Sequence, residues 1–232
     1  MPKEQTADMA ISSEGTAFGI YETSRIVVPG VYVATLAILL YWSCIARFFP
    51  SQPGEGILYL GFLFIALASG FTLYAKETPK RRKAFLENQP SHHLSMRAKL
   101  SKNLPLLDAA EAQRIYYYLL NTCVPPAFHN KIFFFGAVYY IMTQVRRISL
   151  SFALVSTLLA AFIYLQGASI LELQGPVIFS VSVWLVYLLN VRYNKADRKM
   201  QENYTDQILW LEMNHELVDQ VIRAYASKAQ KS

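Results

Sequence analysis

Four runs without a single charge constrain this chain more than any other feature of its sequence. They span residues 26–46, 56–75, 148–171 and 173–191, which is 21, 20, 24 and 19 residues. A hydrocarbon core about 30 Å thick needs roughly 20 mostly apolar residues rising about 1.5 Å each, and every run meets that length. The spacing predicts four transmembrane helices, at residues 26–46, 57–75, 148–166 and 176–191, with Pro29 and Pro176 in opening turns, where a missing N–H costs little. The runs hold 84 of the 232 residues, so all 38 charged residues crowd into the other 148, about 26%, which is an ordinary soluble composition. The overall hydrophobic fraction of 53% averages two populations. The fold class expected is all-α: an integral membrane protein with a basic helical loop and a C-terminal amphipathic, coiled-coil-like helix.

Residues 1–25 carry Glu4, Asp8, Glu14 and Glu22 ahead of the first run, and that run exceeds a signal-peptide core of roughly 7–15 residues, so it reads as an uncleaved span. Orientation follows the basic residues. With a cytoplasmic N-terminus, segments 1–25, 76–147 and 192–232 hold 21 of the 22 Lys and Arg, and Arg47 alone lies outside. Both termini are therefore expected on the cytoplasmic face of the inner membrane. Tyr41, Trp42, Phe48, Phe49, Tyr59 and Tyr164 suit an aromatic belt at the outer edge, whereas Trp184 falls near mid-span and does not. Cys44 near one face and Cys123 in the loop are too far apart for a disulfide.

No Asp, Glu, Lys, Arg or His interrupts the four runs, which argues against proton relays, ion-coupled transport and voltage sensing. Small residues at four-residue spacing, Ala66 with Gly70 and Ala153 with Thr157 and Ala161, mark candidate helix contacts, since close backbone approach drives association in lipid. Ser151, Ser156, Ser180, Ser182 and Asn190 offer a weaker pore-lining reading, because hydroxyls in membrane helices more often bond their own backbone.

Residues 76–147 hold 12 basic and 4 acidic residues. Lys80, Arg81, Arg82 and Lys83 follow the second span and Arg146 and Arg147 precede the third, a pattern suited to anionic lipid headgroups. Nucleic acid is disfavoured, as no aromatic platforms interleave with the cluster. Asp108 and Glu111 have the spacing of a capping box opening a helix over residues 109–120, which is apolar all round at residues 115–120 and calls for burial against protein or lipid. Pro125 and Pro126 end it. The apolar stretch 132–145 is too short to span, and reads either as an interfacial or core helix or as an extension of the third span. His92, His93, Cys123 and His129 are the nearest thing to a metal-ligand set but lack a ligand spacing, and no cofactor is expected.

Residues 192–232 are polar, helix-favouring and free of Gly and Pro. Tyr204, Ile208, Leu211, His215, Val218, Ile222 and Tyr225 alternate four and three apart, a coiled-coil seam that could pair with a second copy or with the chain's own loop. A homo-oligomer is the expected use, with His215 setting register. The lack of a nucleophile elbow, P-loop, dinucleotide fingerprint or HExxH leaves an enzyme without support. Two expectations remain: a membrane anchor or sensor that oligomerises and recruits a cytoplasmic partner, or an oligomeric channel or membrane-permeabilising effector. The overall plan resembles small four-span proteins that bacteria encode in phage-defence and stress operons, an analogy of architecture alone.

Overall fold

The structure, a computed structural model, describes residues 3–46, 54–76, 89–193 and 195–229. It is all-helical, with no strand among the described residues. The helices are α1 (Lys3–Leu40), continued by a π-helical turn (Tyr41–Ile45), α2 (Glu55–Ala75), α3 (Pro90–Leu100), α4 (Ala109–Thr122), α5 (Pro126–Leu165), α6 (Ile170–Tyr193), α7 (Lys195–Met213) and α8 (His215–Ala229). Four of them, α1 from Gly19, α2, α5 and α6, are long and apolar enough to cross a membrane. Their outward side chains confirm the solvent they suit: Phe64 is 72% exposed, Leu158 70% and Ile178 65%. Apolar surface on that scale belongs in lipid. The chain is a multi-pass membrane protein.

The chain divides into two compact units, residues 1–77 with 137–196, and residues 78–136 with 197–232. In the first, α1 and α2 pack through backbone. A Cβ on Gly30 would stand 2.0 Å from the Ala66 carbonyl oxygen, and one on Gly70 would stand 2.4 Å from that of Ile26. Beside this hairpin, Leu36, Leu40 and Cys44 bury against Ile148, Ala153 and Ile163 of α5 and Phe179 and Val183 of α6.

The second unit has a core of its own. Leu94 and Ala98 of α3, Leu104 and Leu107 of the following loop, Ala112, Ile115 and Leu119 of α4, and Leu211, Val218 and Ile222 of the C-terminal helices form one buried cluster. Arg97 ties α3 to α8 through Asp219, with Nε–Oδ1 2.9 Å, and Arg97 and His93 both bond Glu212 of α7. Lys131 pairs with Asp206 at 2.7 Å.

Several helix boundaries differ from the sequence expectation, each for a local reason. Residues 3–25, read as a separate segment, are continuous with the first span, so Pro29 lies deep inside α1 and is fully buried rather than in an opening turn. Pro176 likewise lies inside α6, because that helix opens earlier, at Ser169. The Glu172 carboxylate accepts from the Ser169 backbone N–H (2.7 Å) and hydroxyl (3.0 Å), half of a capping box. Gly167, at φ 79°, ends α5 in the left-handed conformation that glycine adopts without strain. Residues 132–145 belong to α5, one unbroken helix of 40 residues, about 60 Å long and so about twice the hydrocarbon thickness.

Candidate functional site

The capping box at Asp108 is formed as expected. Glu111 N–H donates to Asp108 Oδ1 at 2.7 Å, and Asp108 N–H donates to Glu111 Oε2 at 2.9 Å, so α4 begins at Ala109. Pro125 and Pro126 do more than stop α4. The Pro125 carbonyl accepts from Phe128 and His129, and Pro126 opens α5, where a missing N–H is harmless. Of residues 115–120, expected to be buried against protein or lipid, Ile115, Leu119 and Leu120 are buried within the chain, while Tyr117 and Tyr118 are 46% and 55% exposed.

The C-terminal seam is half realised. Leu211, Val218 and Ile222 are buried in the unit's own core, with Tyr225 packed partly against it, so this side of the seam meets the chain's own loop helices. His215, by contrast, is exposed, and its Nδ1 lies 3.2 Å from the Glu212 carbonyl oxygen. There the helix breaks. The Asn214 side chain and backbone N–H both reach the Trp210 carbonyl, at 2.8 and 3.1 Å, and its own carbonyl starts α8, a competition with helical hydrogen bonding typical of Asn. Upstream, the buried positions of α7 are Asn203, Gln207 and Leu211, while Tyr204 and Ile208 are only half-buried. Counting apolar residues alone placed the seam one residue off, because two of the inward side chains are amides.

Gln207 has a defined partner. The Tyr116 hydroxyl donates to Gln207 Oε1, and the two residues share a crevice with Leu119, Leu120, Val124, Phe128, Ile132, Trp210 and Leu211. Burial, and then the neighbouring Tyr204 and Tyr117, push the Tyr116 hydroxyl well above the ordinary tyrosine range, so it stays protonated and able to donate. Gln207 Nε2 and both side-chain polar atoms of Asn203 are buried without a hydrogen-bond partner. On α3, hydrogen bonding to Asp219 raises the Arg97 guanidinium still further, which keeps that link to α8 charged.

Within the membrane-spanning unit, the packing residues fare unevenly. Ala66 and Gly70 are buried against α1 as expected, with Gly30 and Ile26 completing the contact. Ala153 is buried. Thr157 donates to the Ala153 carbonyl (2.7 Å) and accepts from Trp184 Nε1 (3.0 Å) and from Ser180 Oγ (2.9 Å). It is thus an interhelical bond rather than a small spacer, and it explains the mid-span tryptophan, whose indole N–H would otherwise face hydrocarbon. Ala161 is exposed and makes no such contact, since α5 turns Ser156 and Ile163 inward instead.

Arg146 is half-exposed and Arg147 exposed on α5, whereas Lys80, Arg81, Arg82 and Lys83 lie outside the described residues. One cluster in this unit escaped the sequence reading. Arg25 Nη1 pairs with Glu22 at 2.7 Å, and its guanidinium lies 5.4 Å from the Tyr74 ring centre and 4.9 Å from that of Tyr140. The Tyr74 hydroxyl donates to the other oxygen of Glu22. The pair falls just before the start of the first apolar run, and only the fold brings the two tyrosines to it.

Among the described residues no three His, Cys, Asp or Glu side chains converge as metal ligands. His93 pairs with Glu212, His129 lies against Asn121 and Phe133, and neither Cys44 nor Cys123 is in a disulfide. Compared with known proteins, the chain matches no family model, no curated protein and no solved structure.

Proposed function

We propose that the chain is a non-enzymatic anchor or sensor subunit of the inner membrane: its four spans hold a helical unit at the cytoplasmic face, which recruits a soluble partner and self-associates. One observation carries this reading. The second unit closes a core from segments more than ninety residues apart in sequence and still leaves Leu209 and Met213, one turn apart on α7, 56% and 76% exposed. Exposed apolar side chains on a unit with its own finished core support docking of another protein. Both termini cytoplasmic is the orientation that the basic residues support.

The test is co-purification from membranes. Leu209→Glu with Met213→Glu should leave the chain in the membrane and strip both the partner and higher-order mass, and undiminished recovery of both overturns the reading. Green fluorescent protein fused to either end should fluoresce, and a dark fusion overturns the orientation. A channel remains the second reading, favoured by Thr143, Gln144, Ser149 and Ser156, which are buried polar residues along α5. Dye release from liposomes carrying the full chain tests it, and sealed liposomes at high protein density exclude it.

A further inference from the structure

Residues 100–107, where α3 gives way to the loop before α4, hold four leucines, and the core of the second unit takes only two of them. Leu104 and Leu107 are buried in that core. Leu106, between them, is 75% exposed, and Leu100, the last residue of α3, is 80% exposed, more than the lipid-facing Leu158. A single exposed leucine needs no explanation, but these two have company. Met96, one turn before Leu100 and on its face of α3, is exposed, as are Ala109 and Ala110 at the start of α4.

The loop is tied down on its inner side. Ser95 Oγ donates to the Leu107 carbonyl at 3.2 Å, Asn103 N–H donates to Ser101 Oγ at 3.4 Å, and Leu104 N–H donates to the Ser101 carbonyl at 3.5 Å. A surface arranged in advance loses little conformational freedom on docking.

The charges beside these leucines are basic. Lys99 precedes Leu100 and Lys102 follows it, and both are exposed, as is Arg114 in the second turn of α4. The carboxylates nearest in sequence, Asp108 and Glu111, accept from the backbone N–H groups of their capping box at a helix N-terminus, whose dipole offsets their charge. Arg97 is already matched by Asp219 and Glu212.

Leucines flanked by lysines suit an anionic bilayer. The leucines enter the acyl boundary, the lysine stems lie along it, and the ammonium groups stay at the phosphates. A bilayer is also the surface to which this unit is covalently tethered. The membrane-spanning α5 starts inside the unit and runs without a break into its span, and only residues 76–89 separate α3 from the membrane-spanning α2. Tethering raises the effective concentration of lipid at the loop, so two leucines suffice where a free protein would need more. We propose that this loop is a lipid-docking site: Leu100 and Leu106 insert into an anionic bilayer surface, with Lys99 and Lys102 at its phosphates. The proposal rests on the four apolar helices lying in a membrane and not on the partner reading, which uses Leu209 and Met213.

The test uses the full chain in nanodiscs, labelled with the fluorophore NBD at Asn103→Cys, an exposed loop position, with Cys123→Ser; the chain that keeps Asn103 gives the background. In discs of phosphatidylcholine with phosphatidylglycerol, a nitroxide on the acyl chains should quench the fluorophore at least about twofold, and in phosphatidylcholine alone, or at high salt, less. This comparison keeps every leucine and lysine of the loop, so it does not rest on the stability of a variant. Leu100→Ser with Leu106→Ser should abolish the quenching, and Lys99→Gln with Lys102→Gln should lower it to the level of phosphatidylcholine alone. Tyr118→Ser, at an exposed ring of α4, should leave it unchanged. An unquenched fluorophore in the anionic discs, equal quenching in the two lipids, or quenching that survives Leu100→Ser with Leu106→Ser would each overturn the site.

Discussion

Single atoms decide how α1 meets α2. At Gly30 and Gly70 there is no room for a methyl group, since it would run into the backbone oxygens of Ala66 and Ile26, and backbone cannot rotate aside as a side chain can. Gly70→Ala and Gly30→Ala should therefore each destabilise the hairpin by about 1–3 kcal/mol, read as a lower melting temperature in detergent, while Gly61→Ala, with open space around it, should not. Ala66 and Gly70 were legible in the sequence as small residues four apart, but Gly30 was not, because its role depends on which residues of α2 lie across from it. Tyr116 gives a second expectation at this scale. Its folded pKa lies above the ordinary 10.0, so the native state holds the proton after the unfolded chain has lost it. The stability this contributes is whole below about pH 10 and falls as pH rises beyond, by up to about 1.4 kcal/mol per pH unit. Denaturant unfolding across pH 9–11 should show that slope, and Tyr116→Phe should flatten it.

Element boundaries follow hydrogen bonds made by a few polar side chains. Asp108 and Glu111 announced the start of α4, and Asp108→Ala should cost about 1 kcal/mol in urea unfolding. Ser169 and Glu172 have the same spacing and start α6, yet Pro176 suggested a later beginning; it lies inside the helix instead, a placement that membrane-spanning helices tolerate. At the C-terminus the heptad pattern registered the apolar residues of α8 and misjudged α7. Asn203 and Gln207 carry no hydrophobic signal, so a pattern that counts only apolar residues shifts to Tyr204 and Ile208. The break at Asn214 follows from side chains that compete for backbone carbonyls, a property visible in the residue type but not in the spacing.

The whole molecule is two cores made by interleaved stretches of one chain. Unit two relies on Val218 and Ile222, fully buried contributions from the far end of the sequence. Ile222→Ala should cost about 2–5 kcal/mol and expose residues 89–122 to proteolysis while the spans stay in the membrane, so limited digestion of membranes checks whether the units are energetically separate. Loss of the chain from the membrane fraction would contradict that independence.

Sequence alone determined that four helices can span lipid, because a bilayer demands about twenty apolar residues whatever the rest of the fold does. It also determined the cap of α4, because a capping box is made among four consecutive residues. Tertiary structure decided the rest. It turned the C-terminal seam onto α3 and α4, set Arg25 between Tyr74 and Tyr140, gave Trp184 its partner in Thr157, and closed the crevice at Gln207. Each of these joins residues tens of positions apart, and local spacing carries no information about which distant face a side chain will meet.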